Sequence, residues 1–215
     1  ILYAPYNFDR AMIRNAFIYE ISNQIGRYAV RTSFCEVFVN TDGGSLGYED
    51  YVGVYSFMEK ITRGRNRVDI RRIDPGHSDE PEISGGYMFK LDRTDPGDSG
   101  FVAGKEGILW VAPKENEVTP EQAKWVTDYI NSMYESTRSS NPETGYPKYI
   151  DMDSWIDYHI LNEFTKNPDA FHLSTYFFKD RGKRMEYGPI WDFDRAMGCD
   201  GDGRAADPIG WSGAY

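Results

Sequence analysis

The feature that most constrains this chain is the stretch 167–198, NPDAFHLSTYFFKDRGKRMEYGPIWDFDRAMG. Two runs rich in β-formers, LSTYFFK and KRMEYG, flank Asp180-Arg181-Gly182. Glycine tolerates positive φ in such a turn, so the segment is predicted to be a β-hairpin. A hairpin brings its two ends together, and here both ends carry acids: Asp169 ahead of the first strand, Asp192 and Asp194 behind the second. Carboxylates gathered at one point repel one another unless a proton or a cation lies between them. A hard divalent ion, held by carboxylates and by substrate phosphates, is the simplest resolution.

The rest of the chain reads as support for that point. Asn7 or Asp9 is expected to cap a helix with an apolar face of Ile13, Phe17, Ile21 and Ile25, closed by Gly26 at C′. Arg10 reads as solvated, whereas Arg14 is placed to reach a carboxylate in the core. SFCEVFVN (33–40) and YVGVYSFMEK (51–60) are predicted as antiparallel strands joined by a glycine-bearing connection, with Glu59 closing the second. The arginine-rich stretch 62–72 reads as a solvated surface segment. A third strand, GGYMFKLD (85–92), places Tyr87, Phe89 and Leu91 on one face and Met88, Lys90 and Asp92 on the other, so Lys90 is a candidate phosphate-binding lysine. Residues 94–107 read as loop and 108–112 as a short strand. Thr119-Pro120-Glu121-Gln122 is a strong helix start, with Val126, Ile130 and Met133 on its apolar face. A last helix is expected from Asp151 to about Lys166, carrying Trp155, Ile156, Ile160, Leu161 and Phe164. The sum is an α+β chain with a strand-rich lobe (1–112) and a helical lobe (113–215).

Composition removes several classes of partner. Lys and Arg number 24 against 34 Asp and Glu, giving a formal net charge of −10 at pH 7. That balance disfavours nucleic acid or an anionic membrane as the main partner. No apolar run approaches the ~20 residues of a membrane-spanning helix, so no transmembrane segment is expected. The chain starts at Ile1 and stops in Gly210-Trp-Ser-Gly-Ala-Tyr215, which suggests trimming at both ends. Cys35 and Cys199 have no metal-ligand spacing, and the three histidines are scattered. Asp200-Gly-Asp-Gly203 hints at calcium but lacks the closing Glu of an EF-hand loop. Trp191 and Phe193 read as core anchors.

A helix delivering an acid on a loop, then a hairpin, then a second acid is the succession found in the catalytic half of protein kinases. The chain resembles the CotH kinase family, atypical protein kinases named after spore coat protein H. The resemblance rests on VFVN…YVGVYSFMEKI, GGYMFKLDR, VTPEQ, YIDMDSWIDYHILNEFTKNPDAFHLSTYFFKDR and GPIWDFDRAMG. It implies a divergent kinase-like fold, ATP with Mg²⁺ or Mn²⁺, and transfer to Ser or Thr of a protein substrate outside the cell, in the envelope or in a coat. By matching residues it implies Asp169 as catalytic base, Asp192 as metal ligand with Asp194 beside it, and Lys90 and Glu59 at the nucleotide. Better-studied members of the family, like ordinary kinases, carry Asn five positions after the catalytic Asp, where it binds a second metal. Ser174 stands there in this chain, and neither His-Arg-Asp nor a Gly-x-Gly-x-x-Gly loop is present. Two alternatives follow: a pseudokinase or assembly module of the envelope, and a carboxylate-metal phosphohydrolase built on Asp169, Asp192 and Asp194.

Overall fold

A computed structural model describes residues 1–212; the last three residues fall outside the described residues. In chain order the elements are β1 (Leu2–Tyr3), α1 (Arg14–Gln24), β2 (Thr32–Phe38), β3 (Tyr51–Met58), β4 (Tyr87–Leu91), β5 (Gly100–Ala103), β6 (Glu106–Ala112), α2 (Pro120–Ser136), α3 (Met152–Thr165), β7 (Thr175–Lys179) and β8 (Met185–Tyr187). The architecture is mixed α/β, with two antiparallel sheets and three α-helices among the described residues.

The smaller sheet has the order β1-β3-β2, and β2 and β3 pair antiparallel as their alternation predicted. The larger sheet runs β5-β6-β4-β7-β8. Residues 94–107, expected to be loop, contain β5, which makes a hairpin with β6. Asp- and Gly-rich composition hid a strand of only four residues. The hairpin β7–β8 does not stand apart with the helices: β7 pairs along its whole length with β4, so one sheet spans both sides of residue 112. Gly85 makes the junction possible, because a Cβ there would lie 2.1 Å from the backbone nitrogen of Arg181 in the hairpin turn.

Cores lie on both faces of this larger sheet. Tyr87, Phe89, Trp110 and Phe177 pack with Val126 and Ile130 of α2 on one face. Met88 turns to the other, with Ile18 and Tyr19 of α1 and Tyr158 and Leu161 of α3. The alternation along β4 is therefore as its sequence implied. Helix α2 starts as predicted: Thr119 Oγ1 accepts from Gln122 N at 3.3 Å, and Gln122 Oε1 accepts from Thr119 N at 3.2 Å. Asp151 caps α3 by accepting from Ser154 N at 2.8 Å.

Two helical faces differ from expectation. Helix α1 begins at Arg14, since residues 5–7 form a 3₁₀ turn and Met12 takes φ 60°. Asp9 still serves its start: the buried carboxylate accepts from Arg14 N at 2.8 Å and pairs with the Arg14 guanidinium. At the other end Gly26 (φ 87°) and Arg27 donate to the carbonyls of Asn23 and Ser22, the Schellman closure expected of a C′ glycine. The face turned inward, however, is Asn15, Ile18, Tyr19 and Ser22, while Ile13, Phe17 and Ile25 are half exposed. On α3 the inward residues are Ser154, Tyr158, Leu161, Asn162 and Thr165, leaving Ile156, Ile160 and Phe164 exposed. In both helices the buried face is the one that can hydrogen-bond to the loops beneath it, so polar satisfaction outweighs apolar spacing.

Candidate active site

The acids at the two ends of the hairpin converge. Asp192 takes φ 65°, Ser174 φ 51°, Phe171 φ 68° and Met197 φ 55°, all left-handed conformations that cost a residue with a Cβ. They persist because the surroundings hold them. Asp192 N donates to Tyr19 Oη at 3.0 Å, and Phe193 N donates to Asn15 Oδ1 at 2.6 Å, so α1 grips the Trp191–Asp194 loop from behind. Met197 N donates to Thr165 O at 2.7 Å, which ties the far side of the loop to the end of α3. Before the hairpin, the buried Asn167 side chain accepts from Asp169 N at 3.2 Å, and Asp169 O accepts from Leu173 N at 3.1 Å. That closed turn delivers Ser174 to Asp192, whose Oδ2 accepts from Ser174 Oγ at 3.2 Å.

Asp192 and Asp194 face each other closely enough for their charges to repel, and Tyr3 donates its hydroxyl to Asp194. Burial first, then the Asp194 carboxylate, push Asp192 well above the usual carboxylate range, and Asp169 adds to the effect from nearby. Asp169 itself faces cations: Arg204 Nη1 lies 3.5 Å and Arg195 Nη1 3.8 Å from its carboxylate, and both arginines also pair with Asp202. The Asp200-Gly-Asp-Gly loop is closed by its own backbone, since Asp200 accepts from Gly203 N and Ala205 N.

At Trp191, the residue before Asp192, a cavity of about 230 Å³ opens between the two sheets. Lys60, Lys90, Lys114, Asp98, Tyr176 and Trp191 contribute to its walls. Lys90 is opposite Tyr176 in the β4–β7 ladder and shares its face. Trp191, expected to be a core anchor only, stacks on Tyr19 with ring centres 6.1 Å apart while also lining the cavity. Phe193 is a core residue, 1% exposed. Glu59 lies at the edge of a neighbouring pocket, where Arg31 and Arg67 engage its carboxylate and hold it below its usual range. Its partner is not Lys90.

This donor set fits a divalent cation of the kind that substrate phosphates complete. The half-buried Asp192 carboxylate is crowded by the buried Asp194, a repulsion a cation would relieve, and the Ser174 hydroxyl is in reach of Asp192. Among the described residues no cluster of three or more His, Cys, Asp or Glu forms a cage for a metal. Mg²⁺ is commonly bound in that sparse manner, through one or two carboxylates with phosphates and water supplying the rest.

The family model for CotH kinase protein matches residues 1–213. This chain belongs to the CotH kinase family. No curated protein matches the sequence. Several residues around the CotH site were not singled out in the sequence: Tyr3, Tyr19, Asn15, Lys60, Lys114, Asp98 and Arg204. Tyr19 and Asn15 were hidden by the stronger apolar spacing on the opposite side of α1. Lys60 follows directly on Glu59, and that adjacency was the available signal. The others come from segments whose proximity depends on the tertiary fold. No helix among the described residues is long and apolar enough to cross a membrane.

Proposed function

We propose that this CotH-family chain is an atypical Ser/Thr protein kinase that transfers the γ-phosphate of ATP to a protein of the cell surface, envelope or coat. The observation that supports it most is the gathering of Asp169, Asp192 and Asp194 at one end of the hairpin, with Trp191, the residue before Asp192, lining the lysine-bearing cavity. In this reading Asp192 and Asp194 hold Mg²⁺ or Mn²⁺, with Ser174 as a weaker third donor. The ion, when bound, offsets charge on the phosphates. Lys90 neutralises a phosphate oxygen from the floor of the cavity. Asp169 orients the acceptor hydroxyl and accepts its proton as the hydroxyl oxygen bonds to the γ-phosphorus and the bond to ADP breaks. Arg195 and Arg204 keep that carboxylate aimed.

A second reading, a catalytically weak pseudokinase, is favoured by one observation: Ser174 spends its hydroxyl on Asp192 and offers no amide oxygen to a second ion. Titration with ATP and Mg²⁺ or Mn²⁺, read as a thermal shift, separates the two, because the pseudokinase leaves the unfolding temperature unchanged. Phosphate transfer to protein rather than release as free phosphate separates a kinase from a phosphohydrolase. Asp192→Ala is expected to abolish metal-dependent nucleotide binding. Asp169→Ala is expected to spare binding and lower transfer by at least about a hundredfold, the low end of what a positioned general base supplies. Transfer that survives Asp169→Ala would remove Asp169 from this role.

A further inference from the structure

The Lys90 ammonium does not project freely into the cavity. Asp98 Oδ2 lies 2.7 Å from it and Asp92 Oδ2 4.0 Å. Both members of the short pair are largely withdrawn from water, with side chains 12% and 14% exposed. Asp98 is presented by the turn Asp95-Pro96-Gly97-Asp98. Asp98 N donates to Asp95 O at 2.9 Å, and Gly97 takes φ 89°, the arrangement of a type II turn with Pro second and Gly third. Asp95 N donates back to Asp98 Oδ2 at 3.4 Å. One residue further on, Ser99 O accepts from Trp110 N at 2.9 Å, which anchors the turn to β6. The carboxylate is thus fixed to the sheet that carries the lysine.

A lysine on a flexible four-carbon stem has rotamer freedom to lose before it can serve as a point charge. Phosphoryl-transfer sites hold the strand lysine with a carboxylate that accepts one ammonium hydrogen and leaves the others for the nucleotide. Glu59 cannot do so here, being engaged with Arg31 and Arg67. We propose that Asp98 is the positioning residue of Lys90, and that the Asp95–Asp98 turn fixes the ammonium toward the phosphates of a bound nucleotide. The inference rests on the kinase reading and sharpens it.

Calorimetric titration of ATP with Mn²⁺, and separately of AMP, into the wild type, Asp98→Asn, Lys90→Met and the double variant tests it. Asparagine is nearly isosteric and keeps an acceptor for Asp95 N, and AMP binding reports an intact pocket. We expect Asp98→Asn to weaken ATP about tenfold, to leave AMP unchanged, and to add nothing once Lys90 is Met. Equal losses for ATP and AMP, or an undiminished loss in the Lys90→Met background, would reduce Asp98 to a support of its loop and overturn the inference. Tighter ATP binding by Asp98→Asn would make Asp98 a competitor of phosphate and overturn it as well. A wild type that binds no ATP brings down the kinase reading itself, a result distinct from any of these.

Discussion

Left-handed backbone at Asp192 and Ser174 is the residue-scale signature of the site. Both positions hold a strained conformation because Tyr19, Asn15 and the turn after Asn167 leave no alternative. At Ser174 the strain carries a prediction. Asparagine enters the left-handed region more readily than any other residue with a branched polar head, and its amide oxygen is a better ligand for a hard ion than a hydroxyl. Ser174→Asn is therefore expected to fold at least as stably as the wild type and to raise Mn²⁺-dependent transfer several-fold. Urea unfolding and radiolabel transfer, measured side by side, check both halves; a destabilised or less active variant refutes the expectation.

At the scale of elements, the β7–α2 contact holds a group with a measurable titration. Lys179 is 3% exposed, donates to Ser84 O at 2.7 Å and Asp180 O at 3.1 Å, and lies 5.1 Å and 5.5 Å from the ring centres of Tyr129 and Trp125. Burial pushes it down from 10.5 to about 8. Between those values the unfolded chain binds a proton that the folded chain has released, so stability rises with pH across that window. Below it the lysine is charged in both states and the cost of burying the charge is fully felt. Denaturant midpoints from pH 7.5 to 10.5 should therefore climb for the wild type relative to Lys179→Met; parallel curves would refute the assignment. The helices teach a related lesson about legibility. Starts and stops at Thr119, Asp151 and Gly26 were readable because a cap is a local bond between near neighbours. The buried faces of α1 and α3 were not, because Asn15, Tyr19, Ser154 and Tyr158 choose their side through partners outside their own helix.

Across the whole molecule, the convergence of Asp169 with Asp192 and Asp194 was legible, since a hairpin dictates where its own ends go. The placement of that hairpin was not, because nothing local to 175–187 states that β7 adds to β4. Strand β7 is the fourth of five in its sheet and pairs with β4 through five residues. A fragment of residues 113–212 would lack β4 and β6 and expose Phe177 and the inner face of α2. It is expected to show no cooperative unfolding transition alone and to regain one when mixed with residues 1–112. Cooperative melting of the isolated fragment would mean that the two halves are independent units.

The same pairing has a mechanical consequence. Where a cationic residue and the residue leading to the acids sit side by side in one ladder, the spacing between them is as stiff as a sheet. On the proposed kinase reading, any widening to admit a nucleotide would fall to the opposite wall, where Lys60 and Ile61 lie just beyond the end of β3, as a door swings on a fixed jamb.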